Sequence, residues 1–181
     1  SSFRDLLRLR RLTVQQNIPL YLKIGGVEAL RDLKDAVDLG VDGLIAPMVE
    51  SPFGVVKFTG AVESIFGKQK LFKSINIETR ESVDNVDEIL EVAKGKIDNI
   101  TIGRTDLSRS YFEDSIKPDS PFILDLVEML SGKIQTSGMT LTLGGSINKE
   151  SIRLLNERKS KIRGQMLSIE TRKVVLPLGE M

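Results

Sequence analysis

The chain's 181 residues contain neither cysteine nor histidine. Their absence excludes the usual zinc sites, thiol nucleophiles, Ser-His-Asp triads and histidine general bases. Any metal must be held by oxygen donors, which suit hard ions such as Mg2+ or Mn2+. A strong charge bias is missing too: 26 Lys and Arg against 25 Asp and Glu leave a formal net charge of +1. Phosphate binding normally needs a basic excess on one face, so no nucleic acid is expected as a partner. The basic group Arg4, Arg8, Arg10 and Arg11 and the stretch from Arg158 to Arg163 fit solvated helix faces. No apolar run approaches membrane-spanning length and no signal peptide opens the sequence. With no cysteine, a cytoplasmic location away from membranes is the expectation.

What is present is an ordinary globular balance, 40% hydrophobic and 28% charged. The length suits one domain over residues 1–181, large enough to bury a core without disulfides. Short apolar runs alternate with amphipathic stretches, the pattern of βα units and a parallel sheet. Ser2 to Gln16 reads as a helix capped by Ser2. Strands are expected at Pro19 to Ile24, Gly43 to Val49, Leu71 to Glu78, Ile97 to Gly103, Met139 to Leu143, and once more within Gln165 to Val175. Val27, Leu30, Leu33 and Val37 recur at helical spacing, with Gly40 placed to end that helix. Ser51-Pro52 and Ser120-Pro121 open two further helices, Ser146 is the expected cap of another, and a long polar loop runs from Gly103 to Ser120. Six strands fall short of the eight in a closed barrel. The expected fold is therefore α/β, a TIM (β/α)8-type barrel that is truncated or incomplete, lacking one or two closing strands; an open doubly wound sheet is the alternative.

Parallel α/β folds bind ligands at the C-terminal ends of their strands. The residues there include Lys23, Asn76, Glu78, Gly103, Arg104, Thr105, Asp106, Ser108, the turn Gly144-Gly145-Ser146, and Glu170-Thr171-Arg172. Glu78 ends one strand and Asp106 follows the next, so one ion could bridge them. A pair of carboxylates leaves Mg2+ positions for water and a bidentate 2-oxo acid. By spacing alone, two salt-bridged loop carboxylates would explain the same pattern. Gly144-Gly145-Ser146 before a helix could bind an anion or be a plain tight turn.

Three segments in register on successive strands add to this: IAPMVES (45–51), INIETRESVDNVDEIL (75–90) and ITIGRTDLSRS (100–110). Together they resemble the HpcH/HpaI aldolase and citrate lyase family of the phosphoenolpyruvate/pyruvate barrel superfamily. The match runs from about Leu20 to Ser110, with weaker similarity through LGGSINKESI. The resemblance implies a homo-oligomeric carbon–carbon lyase or aldolase that uses Mg2+ or Mn2+ on a 2-oxo acid or an acyl-CoA substrate. It gives Glu78 and Asp106 as metal ligands; the strand-end cations Lys23 and Arg104 are the catalytic candidates. Lys23, Asn76, Gly103, Thr105 and Ser108 become the substrate-binding candidates. Lys23 stands where the family has an arginine, which turns a bidentate clamp into a point charge. Two departures count against catalysis: the family's active-site histidine has no counterpart, and Gly-Arg-Thr-Asp replaces the commoner Gly-Pro-X-Asp, putting Arg104 beside the metal position. The alternatives are a catalytically degenerate barrel used for binding or scaffolding, and a metal-independent barrel enzyme that binds a sugar acid or phosphate.

Overall fold

The computed structural model describes residues 2–158, 160–162 and 166–178. Seven strands form one sheet in chain order: β1 (Tyr21–Lys23), β2 (Gly43–Ala46), β3 (Phe72–Ile77), β4 (Asn99–Gly103), β5 (Thr140–Gly144), β6 (Met166–Glu170) and β7 (Val175–Pro177). The first six pair in parallel and β7 returns antiparallel on β6. Strand order that follows sequence order without a crossover is the winding of a (β/α) barrel, and it rules out the doubly wound alternative. The sheet curls into a half-barrel of the TIM type.

The helices are α1 (Phe3–Gln15), α2 (Leu30–Leu39), α3 (Pro52–Phe66), α4 (Arg80–Asp84), α5 (Val86–Ala93), α6 (Arg104–Arg109), α7 (Pro121–Ser137) and α8 (Lys149–Glu157). The Ser2 hydroxyl accepts from Asp5 N in a full capping box, and Ser51 caps α3 ahead of Pro52. Gly40 ends α2 at φ 60°, a conformation that costs a side-chain-bearing residue more.

Alternation along the strands divides the sheet into two faces. Leu44, Ile75, Ile77, Ile100, Ile102, Leu141 and Leu143 point one way and share a buried core with Leu33, Val55, Phe58, Ile89, Ile123 and Val127 of the helices. The opposite, inner face carries Ser74, Asn76, Asn99, Thr101, Thr142 and Ser168, all buried. These polar groups satisfy one another across strands. Ser74 and Thr101 share a 3.2 Å hydrogen bond, and Asn99 donates to Ser74 at 2.8 Å. Asn99 Oδ1 accepts from Thr140 and Thr142, and Thr142 meets Ser168 at 2.8 Å. At the N-terminal end of the strands Tyr21 and Phe72 stack, ring centroids 4.8 Å apart, over Gly43.

Three expectations change. The single strand expected within Gln165 to Val175 is two: the chain turns at Thr171, whose N–H and hydroxyl both donate to Val174 O, and β7 follows. Gln165 itself lies outside the described residues. The polar loop after Gly103 holds α6, a helix too short to show apolar periodicity. Asn148, not Ser146, caps α8; its side chain accepts from Glu150 N and Ser151 N, while Ser146 sits at φ 51° two residues earlier.

Candidate active site

The centre of the site is Glu78, one residue past β3 and 2% exposed. A carboxylate buried this deeply must be hydrogen-bonded or paired. Its Oε1 accepts from Met48 N at 3.1 Å, and its Oε2 from Asn76 Nδ2 at 3.1 Å. Lys23 Nζ, at the end of β1, stands 3.6 Å from Oε2. Met48 makes its contribution from φ 51°, a left-handed backbone that a non-glycine residue adopts at a cost. The PMVES turn after β2 thus aims an amide at the carboxylate. The resemblance in this segment pointed there, but it could not reveal that the contact is made by main chain.

Gly103, last residue of β4, explains itself against Glu78. A Cβ on it would lie 2.5 Å from Glu78 Oε2 and 2.8 Å from Glu78 Cβ. Only a bare backbone leaves the carboxylate room. Asp106 follows in the first turn of α6; its side chain is 44% exposed, and its ion-pair partner is Arg109 at 3.9 Å. It lies one helical turn beyond the glycine that flanks Glu78, on the same C-terminal side of the sheet.

Arg104 is a correction. Placed by sequence beside the metal position as a catalytic candidate, it is completely buried and faces elsewhere. Nε donates to Gly144 O, Nη2 to Gly145 O, and Nη1 to Pro118 O and to Asp119 Oδ1 at 2.5 Å. Asp119 also accepts from Ser151 of α8. The guanidinium ties the β5 turn to the segment before α7, with four of its five N–H groups committed there and none to Glu78. The partner that decides this, Asp119, lies 15 residues along the chain and carried no sequence signal.

Thr105 and Ser108 are also separated from the Glu78 cluster. Thr105 Oγ1 shares a 2.9 Å hydrogen bond with Ser146, and Ser108 donates to Thr105 O within α6. Both line a cavity of about 430 Å3 with Arg109, Phe112, Lys117 and Ser146, under the segment that links α6 to α7. Gly145, at φ 87°, packs so closely on the Thr105 and Arg104 amides that a side chain has no room there, which makes the Gly144-Gly145 turn a packing device.

Glu170, at the end of β6, faces the same centre as Glu78. Burial pushes its carboxyl above the ordinary glutamate range; Lys23 opposes the rise and Glu78 adds to it. The second Ile-Glu-Thr-Arg in the sequence was the available signal.

A divalent ion fits the donors present at Glu78. Asn76 Oδ1 is buried with no hydrogen-bond partner, directly beside the carboxylate that Asn76 Nδ2 holds. An orphaned acceptor next to a buried carboxylate leaves a place for a water or a cation. Among the described residues no group of three or more acidic side chains forms a metal cluster, so an ion here would draw on neutral oxygens beside Glu78. No helix among the described residues is long and apolar enough to cross a membrane.

Comparison with known proteins agrees with this geometry. The sequence model of the family described as HpcH/HpaI aldolase/citrate lyase matches residues 24–121, more than half of the chain. An HpcH/HpaI aldolase from Desulfitobacterium hafniense DCB-2 superposes with a TM-score of 0.73 at 16% identity, covering 94% of this chain and 72% of its own. An HpcH/HpaI aldolase/citrate lyase family protein from Burkholderia cenocepacia J2315 gives 0.72 at 14% identity, covering 93% and 73%. A variant of the citrate synthase SbnG gives 0.66 at 20% identity, covering 92% and 69%. At these identities the structural likeness establishes the fold. No curated protein sequence matches the chain.

Proposed function

The chain belongs to the HpcH/HpaI aldolase/citrate lyase family, and from that premise we propose that it is a divalent-metal-dependent carbon–carbon lyase acting on a 2-oxo acid. The observation that carries this is the Glu78 centre: a buried, oriented carboxylate beside an acceptor with no partner. Glu78 and Asp106 would hold the ion. Bound there, Mg2+ or Mn2+ supplies a Lewis acid that stabilises negative charge on the carbonyl oxygen as the bond α to it breaks.

The chain's own groups do the rest. Met48 N–H and Asn76 Nδ2 fix the orientation of the Glu78 carboxylate. Lys23, 44% exposed at the mouth, offers an ammonium to the substrate carboxylate. Gly103 keeps side chains out of the space beside Glu78. The Tyr21–Phe72 stack sits at the other end of the strands, so substrate is expected to enter at the C-terminal end. Arg104 acts on the site only through the β5 turn it anchors.

The test is deuterium exchange into the methyl group of pyruvate, followed by proton NMR with Mg2+ or Mn2+. Exchange in the parent chain and its loss in Glu78→Gln and Asp106→Asn are expected; full exchange in both variants would refute the assignment. A non-catalytic, ligand-binding role is favoured by one observation, the Lys23 ammonium already beside Glu78. Calorimetry separates the two, because that role predicts a folded chain that takes up no divalent ion.

A further inference from the structure

On the inner face, residues at the C-terminal ends of four neighbouring strands fall in one row. Glu78 follows Ile77, which pairs with Ile102, and so stands beside Gly103. Gly103 pairs with Gly144, and Gly144 stands beside Glu170. The row reads carboxylate, glycine, glycine, carboxylate. Strands lie about 4.8 Å apart, so the two acids' backbones are roughly 14 Å apart along the sheet, and less across its curl. Between them the floor is bare main chain.

The two glycines differ in what demands them. Gly103 is forced by Glu78, but nothing comparable acts on Gly144. A Cβ there would meet Glu170 Cβ at 3.6 Å and Oε2 at 3.7 Å, ordinary contact, and Gly144 does not adopt a positive φ. The third neighbour of that Cβ is Thr101 Cγ2 at 3.7 Å, so a methyl would fit over Gly144 without displacing anything. Gly103 and Gly144 together make a strip of bare main chain between the two acids.

Among the described residues, hydrogen bonds hold one of these acids and not the other. Glu78 is held by an amide, an amide side chain and Lys23. Glu170 accepts no hydrogen bond from a described residue; the charges that act on it are Lys23 from β1 and Glu78 from β3. A half-buried carboxyl with no hydrogen bond from a described residue, its affinity for a proton raised by burial, is equipped to exchange one. The chain has no histidine to do so.

We propose that Glu170 is the proton-transfer group of this site, working from the end of the glycine strip opposite Glu78. The inference rests on the lyase function proposed above. In the cleavage direction the Glu170 carboxylate takes the proton of the substrate's 4-hydroxyl. The O–H electron pair becomes the C=O bond of the departing aldehyde. The C3–C4 bond breaks and its pair becomes the C2=C3 bond of the enolate. Glu170 then returns the same proton to C3, which yields pyruvate and restores the carboxylate.

The experiment compares the full chain with Glu170→Gln and Glu170→Asp. Methyl exchange of pyruvate is followed across pH, Mn2+ affinity is read by electron paramagnetic resonance, and the Glu170 side-chain carbon is titrated by carbon-13 NMR in metal-free protein. Removing a general acid–base costs about 100- to 10,000-fold, so Glu170→Gln should lose at least about 100-fold in exchange. It should keep its Mn2+ affinity, and Glu170→Asp should recover part of the rate. In metal-free protein the Glu170 carboxyl should titrate above the ordinary glutamate range. Exchange in Glu170→Gln close to that of the parent overturns the inference and leaves the lyase function standing. Loss of Mn2+ binding in that variant overturns it by making Glu170 a ligand. Should Glu170→Gln fail to fold, a Glu170 that titrates at or below the ordinary range overturns it on the parent chain alone. A parent chain with no exchange under any metal refutes the lyase function and this inference together.

Discussion

Adding one methyl group at Gly103 puts the geometry of the site under direct test. The new Cβ would stand 2.5 Å from Glu78 Oε2 and 2.8 Å from Glu78 Cβ. Oε2 could swing away, but only by leaving Asn76 Nδ2 and turning Oε1 off Met48 N. The Cβ belongs to the backbone frame of β3 and cannot swing, so the strands must part or the row must twist. Overpacking of this kind costs about 1–3 kcal/mol, and a loosened buried carboxylate adds a hydrogen-bond loss of about 1.5 kcal/mol or more. In a chain of this length each kcal/mol lowers the melting temperature by roughly 2–4 °C, so Gly103→Ala should melt about 5–15 °C below the parent. Gly144→Ala is the control one strand away, where the same methyl meets only ordinary contacts. Its melting temperature should stay within about 2 °C of the parent. Thermal unfolding of both, followed by circular dichroism, checks the pair. Equal melting of Gly103→Ala and Gly144→Ala would refute the claim that Glu78 presses on β4.

Other outcomes follow from named contacts. Arg104→Met should cost about 3 kcal/mol or more in urea unfolding, because it strands Asp119 and three carbonyls; unchanged stability would show the guanidinium to be dispensable. Asn148→Ala should cost about 1 kcal/mol through loss of the α8 cap, whereas Ser146→Ala should leave that helix intact by hydrogen exchange. For Asp42, burial pushes the carboxyl up, but Leu20 N–H and the Arg10 guanidinium outweigh it and hold it below the usual range. Its contribution is present above the unfolded-state value and lost as pH falls through the folded one. The stability gap between the parent and Asp42→Asn should therefore close in acid; a gap that persists there would contradict this. Glu170 has the opposite sign. Its raised carboxyl costs nothing below the unfolded-state value, and the cost grows as pH rises through the folded one. Glu170→Gln should thus melt higher than the parent at neutral pH and equally in acid; a lower melting temperature at neutral pH would count against it.

The sheet was legible because apolar runs and amphipathic stretches alternate strictly, and local capping agrees with them at Ser2, Ser51 and Gly40. Where reading failed, the cause was non-local. Asn148 outcompetes Ser146 as a cap because its side chain reaches two amides while Ser146 is drawn to Thr105. At the site, Glu78, Asn76 and Lys23 could be named from strand ends, and the structure brings those three together. Arg104 could not be placed, since an arginine's target depends on which carboxylate the fold delivers; here it is Asp119 from a segment whose path no periodicity fixes. Backbone donors such as Met48 N–H carry no side-chain signature at all.

The two faces of the sheet divide labour in a way that bears on how this chain could change. Cohesion comes from the apolar side against the helices, while the inner side is a lattice of hydroxyls and amides that satisfy one another. An open sheet with a greasy hollow would be a standing invitation to aggregate; a wettable one is not. Stability and recognition are thus drawn from opposite sides of the same strands. On the function proposed above, substitutions at Lys23 or Gly144 would retune what is recognised with little cost to folding, which would leave the scaffold free to accept new substrates.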